Sequence, residues 1–121
     1  DYNPKVDVQL RISHQVLDQE QGIFEVVLKV TVTATTSGQT AFLIEVQQAG
    51  IFNIEGAQGG ALSQVLGIAC PNALFPYLRE ALDALVTKGG FPPLQLAPVN
   101  FEMLFAEAMK RSKEETQTTQ H

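Results

Sequence analysis

The stretch IFEVVLKVTVTATTSGQTAFLIEVQQAGIF, residues 23–52, decides the architecture. Phe24, Val26, Leu28, Val30, Val32 and Ala34 alternate with Glu25, Val27, Lys29, Thr31, Thr33 and Thr35. Apart from Val27 the second set is polar, and a period of two marks a strand with one buried face. The second half repeats the pattern, with Phe42, Ile44 and Val46 facing one way and Ala41, Leu43, Glu45 and Gln47 the other. Between them Thr36-Ser37-Gly38-Gln39 is short and polar, and Gly38 can take positive φ, so the two strands are expected to close as a hairpin. Such a ribbon has one greasy and one Thr-rich face, and the greasy one needs a covering layer.

Upstream, Val6, Val8, Leu10 and Ile12 alternate with Asp7, Gln9, Arg11 and Ser13, which predicts a further half-buried strand. The polar run Asp18–Gly22 makes the reversal into the hairpin and completes a three-stranded meander. Downstream the period changes. Leu62, Val65, Leu66 and Ala69, then Leu74, Phe75, Leu78, Leu82, Leu85 and Val86, recur at helical steps. Pro71 disfavours the helical conformation at Cys70, so the spacing predicts two helical pieces with Asn72 capping the second and Lys88-Gly89-Gly90 stopping it. The apolar surface of the second piece is wider than one stripe, which suits burial on two sides, the second by another subunit. Phe91–Pro98 holds three prolines and is expected to be an extended linker. Asn100 then caps a shorter helix with Glu102 in its first turn and Phe101, Leu104, Phe105 and Ala108 on one face. Residues 110–121 are polar and without period, and are expected to be a disordered tail. The fold class is α+β, an antiparallel sheet packed on one long helix kinked between those pieces and one shorter C-terminal helix, with one domain over residues 1–109.

A chain of 121 residues with 45% apolar and 17% charged side chains can bury one sizeable core. Its formal charge of −5 speaks against nucleic acid as a partner, since phosphate binding calls for a basic stripe. No uninterrupted run of 18 apolar residues occurs, so no membrane insertion is expected. The opening DYNPKVD matches neither a secretory nor a basic amphipathic leader, and without an initiator Met the chain is expected to be a processed or trimmed product. The single cysteine, Cys70, excludes an internal disulfide and fits a reducing, cytoplasmic location.

A catalytic constellation is hard to assemble from these residues. The histidines are His14 and His121, and Cys70 beside a proline in an apolar helix has the character of an inert packed thiol. One Cys and two His make no metal-ligand set, Glu25 and Glu45 fit a solvated sheet face, and the glycine-rich joint 55–60 lacks the spacing of a phosphate-binding loop. No enzyme activity, cofactor or metal is expected. A sheet wrapping a long helix also occurs in acyl-thioester hydrolases and acyl-binding proteins, but no polar catalytic group is evident beside the helix.

Four blocks in order resemble the SecB family of bacterial protein-export chaperones: FEVVLKVTVTA (24–34), AFLIEVQQAGIF (41–52), CPNALFPYLRE (70–80) and FPPLQLAPVNFEMLF (91–105). The resemblance implies a four-stranded antiparallel sheet backed by a long helix and a shorter C-terminal one, assembled as a dimer of dimers. It implies a chaperone that holds unfolded preproteins and passes them to the translocase ATPase SecA. A related SecB-like chaperone of a toxin–antitoxin system is the alternative within the fold. The family's first strand is not matched here. It pairs beside the last strand of the meander, so residues 40–52 are expected to form a bare edge. The resemblance places an aromatic client-groove residue at Tyr2 and SecA-docking residues at Leu43 and Glu45. Client contacts are expected where Val6, Val8 and Leu10 run near Phe101 and Phe105 of the last helix, and assembly contacts at Ile44, Val46 and Gln48, which point toward the helices used between dimers.

Overall fold

A computed structural model describes residues 5–92, 94, 96 and 98–119, the stretch 113–119 by its backbone alone. Three antiparallel strands, β1 (Lys5–Asp18), β2 (Ile23–Thr36) and β3 (Gln39–Asn53), lie in the order β1-β2-β3. The hairpin between β2 and β3 closes through Ser37 at φ 54 and Gly38 at φ 79. Two successive left-handed residues give the turn whose twist matches that of its strands. At the other end Gly22 (φ 69) turns the chain, the Gln21 N–H donates to Asp18 Oδ1 at 3.1 Å, and the Ile54 N–H donates to the Gly22 carbonyl at 2.7 Å.

One face of β2 is the centre of the core. Val26, Leu28, Val30, Val32 and Ala34 are fully buried, and Phe24 nearly so. Each large apolar side chain buried here contributes about 1.5–3 kcal/mol relative to exposure. The cover is a continuous helix over Gly60–Lys88, made of α1 (Gly60–Gln64), a π-helical turn (Val65–Ala69) and α2 (Cys70–Lys88). By length and composition this helix is apolar enough to cross a membrane. Its buried stripe, Leu66, Cys70, Leu74, Phe75, Leu78, Leu82 and Val86, instead belongs to the same core cluster as the β2 side chains. The expected break at Pro71 does not occur, because Cys70 stays helical (φ −66, ψ −47) and its N–H donates five residues back to the Val65 carbonyl. The wider turn rearranges the ladder where Pro71 lacks a donor and where its ring would crowd the carbonyl of the preceding turn.

Helix α2 ends as expected. The Phe91 N–H donates to the Val86 carbonyl and the Gly90 N–H to that of Thr87, with Gly90 at φ 84. This paired closure consumes orphan carbonyls of the last turn. Asn100 caps α3 (Phe101–Thr119), its Oδ1 accepting from the Met103 N–H at 3.1 Å. The helix runs through Thr119, where residues 110–119 were expected to be tail. Lys110, Arg111, Lys113, Glu114 and Glu115 are good helix formers, and propensity carries a helix on without an apolar stripe. Residues 120 and 121 lie outside the described residues.

Candidate functional site

Residues paired across antiparallel strands share a face. The register therefore sets out the inner face in rows: Val16–Phe24–Phe52, His14–Val26–Gly50, Ile12–Leu28–Gln48, Leu10–Val30–Val46, Val8–Val32–Ile44 and Val6–Ala34–Phe42. Helix α2 packs over β3 and β2 and leaves the β1 end of each row open. The middle strand is sealed while Val6, Val8 and Val16 stay 40%, 38% and 51% exposed, with Leu10 and Ile12 half-buried. A half-covered apolar strand of this kind is an adhesive surface for extended apolar chain.

The C-terminal helix lies elsewhere than β1. It packs on the π-helical turn, and Phe105 takes the space left by Gly67, where a Cβ would come within 2.7 Å of the ring. Beside this contact Ala61, Val65, Ile68, Ala69, Gln64, Glu102 and Phe105 line an open groove of ≈ 640 Å³. No extensive packing of β1 on α3 joins Val6, Val8 and Leu10 to Phe101 and Phe105 as the sequence suggested. At the opposite, β3 end of the Val6 row stands the start of the linker, since the Phe42 and Phe91 rings meet at a tilt of 51° with centroids 4.6 Å apart. Phe101 is 1% exposed and meets Phe75 edge to face at 5.9 Å, so it is core and not groove. Phe105 is half-buried and partly accessible. Tyr2 lies outside the described residues.

Ile44, Val46 and Gln48 face inward toward the helix. Val46 is buried within the single chain, while Ile44 and Gln48 are half-buried. On the opposite face of β3, Leu43 is 59% exposed and lies two residues from Glu45, which faces the same way. Lys29 reaches Glu45 at 3.9 Å, and the Gln15 amide donates to Glu25 at 2.9 Å. Ile51, on this same outer face, is also well exposed, and alternation alone did not single it out. Burial pushes the Cys70 thiol above its ordinary value, which disfavours the reactive thiolate.

The family model of preprotein translocase subunit SecB matches residues 1–112. The chain belongs to the SecB family. The protein-export protein SecB of Cellvibrio japonicus is 45% identical over 114 residues, covering 94% of this chain and 68% of that one. Its counterpart from Stutzerimonas stutzeri is 51% identical over 111 residues, 92% and 66% of the two chains. Among solved structures, a SecB-like chaperone of Mycobacterium tuberculosis in complex with an antitoxin peptide superposes with a TM-score of 0.67 at 18% identity, over 80% of this chain and 73% of that one. That likeness shows the fold. The SecB relatives carry the closer kinship.

Proposed function

We propose that this chain is an export chaperone that holds unfolded preproteins in a translocation-competent state and delivers them to the translocase ATPase SecA. The observation that carries this reading is the open inner face of β1, where Val6, Val8, Leu10, Ile12 and Val16 are interrupted by His14 beside a sealed core, in a chain akin to protein-export SecB proteins. Non-directional burial of alternate side chains binds many sequences without reading any one of them. The groove beside Phe105 adds a second apolar surface. Each anchored client side chain contributes roughly 1–2 kcal/mol after the ordering entropy of the chain is subtracted, so holding needs several contacts at once. Repetition in a dimer of dimers supplies them through effective concentration. Exposed Tyr77 and Leu85 on α2, with half-buried Ile44 and Gln48 on the helix-facing side of β3, support assembly through the helix layer. Leu43 and Glu45 form the ATPase-docking face, and the site of action is the cytoplasm.

The test is suppression of aggregation when a denatured preprotein is diluted into buffer, beside an acyl-thioester hydrolysis assay. Suppression without hydrolysis, for the unfolded but not the folded preprotein, is the expected result. Hydrolysis without suppression would overturn the reading in favour of an acyl-thioester enzyme.

A further inference from the structure

The outer face of the sheet is polar and lightly charged, and one small group of charges on it is arranged around Glu45. Arg11 on β1 lies directly opposite Lys29 on β2, which lies opposite Gln47 on β3; Glu45 is opposite Thr31, one diagonal step away. Like charges facing each other across strands repel. The Arg11 guanidinium therefore biases the Lys29 ammonium toward β3, where it reaches Glu45 Oε1 at 3.9 Å. Glu45 is still half exposed in this pair, with its side chain at 53%, and Leu43 stands open beside it.

We infer that Lys29 is a specificity-determining residue of the docking face, an internal counter-ion to Glu45 that an incoming basic segment must displace. The inference rests on the proposal that Leu43 and Glu45 receive the translocase ATPase. The occupant that fits is an extended segment of that partner with a cation and an aliphatic side chain two residues apart, matching the spacing of Glu45 and Leu43. Charge supports a cation on that segment: the chain carries a net −5, and Glu45 is the half-exposed carboxylate beside the open Leu43, with Lys29 and Arg11 the local cations that the segment must outcompete. An exposed ion pair adds little to folding, so Lys29 can exchange partners without disturbing the sheet. The Lys29–Glu45 contact thereby sets a threshold, and a partner lacking its own cation finds the carboxylate already neutralised.

The experiment titrates the ATPase against the parent chain, Lys29→Met, Lys29→Arg, Glu45→Gln and the Lys29→Met/Glu45→Gln pair, with melting curves run in parallel. Lys29→Met should tighten binding roughly two- to fivefold at low salt, the range that exposed pairs span. The gain should shrink as salt rises, because the Debye length falls from about 10 Å at 0.1 M to about 3 Å at 1 M. Lys29→Arg should bind like the parent, and the pair should bind like Glu45→Gln alone. An equal gain in the Glu45→Gln background overturns the inference, since Lys29 would then act by repelling the partner directly. No gain from Lys29→Met overturns it too. Parent affinity that is unmoved by Glu45→Gln, or no binding by the parent at all, overturns the docking reading beneath it.

Discussion

The ring of Phe105 occupies the space that a side chain on Gly67 would need: a Cβ there would lie 2.7 Å from Cδ2 and 3.1 Å from Cε2 of the ring. This contact holds α3 on the π-helical turn, and it ties the position of a candidate groove residue to a glycine far away in sequence. Overpacking of this kind costs typically about 1–3 kcal/mol.

Gly67→Ala should therefore displace α3 and leave the sheet in place. Amide hydrogen exchange is expected to quicken over residues 101–112 and stay slow in β2. Adding Phe105→Ala to Gly67→Ala should restore much of the lost melting temperature, because the clash needs both partners. Equal exchange in the parent and in Gly67→Ala would show that α3 is held by other contacts.

Facing along β3 gives a second prediction. Ile44 packs against the core cluster, while its neighbour Leu43 points to solvent. Ile44→Asp loses part of the roughly 1.5–3 kcal/mol of a buried aliphatic and sets an unpaired carboxylate at a half-buried position against the core. It should lower the melting point sharply or, if the fold survives, reduce the assembled mass seen by light scattering. Leu43→Asp, one residue away, should change stability by less than about 0.5 kcal/mol. Matching behaviour of the two variants would contradict the inward and outward assignment.

Much of this arrangement was legible because alternation in β2 is a direct record of one sealed face. Rules that look only at neighbours failed where the ladder could rearrange. Pro71 should have broken the helix, yet a π-helical turn absorbed it. The full extent of α3 leaves no apolar stripe over residues 110–119, where the helix continues on propensity. Phe101 and Phe105 sit on one helical face and look alike in sequence. Their burial differs because Phe75 covers one and the notch at Gly67 receives the other, contacts that connect distant stretches of chain. The Lys29–Glu45 pair likewise depends on strand register.

Cys70 supplies a pH prediction. Its thiol is buried, and desolvation raises its pKa above the ordinary value. The unfolded chain's thiol ionises first as pH rises, so the stabilisation from the neutral buried thiol is fully present below the ordinary thiol pKa. It is lost as pH climbs from there toward the raised folded value. Thiol reagents should label the native chain slowly at pH 8 and the denatured chain at once. Cys70→Ala should flatten the alkaline fall in stability measured by urea titration. A native chain labelled as fast as a denatured one would show that the thiol is accessible.

The client surface is tested by variants that differ in burial and not in chemistry. Phe101 is sealed, so Phe101→Ala should cost about 3–5 kcal/mol of stability, with any loss of holding following the loss of fold. Val8 keeps 38% of its surface on the open side of β1, and its row is closed by Val32 and Ile44. Val8→Ser removes apolar contact from an accessible site while leaving the sealed part of that row intact. Circular dichroism should show a folded chain, and affinity for an unfolded preprotein should fall by about two- to tenfold, as expected from one weakened apolar contact of up to about 1.4 kcal/mol. Phe105→Ala, half-buried beside the second groove, should weaken holding to a similar degree at a smaller cost in stability than Phe101→Ala. If folded Val8→Ser and Phe105→Ala both hold the preprotein as tightly as the parent, unfolded chain binds neither on β1 nor beside α3.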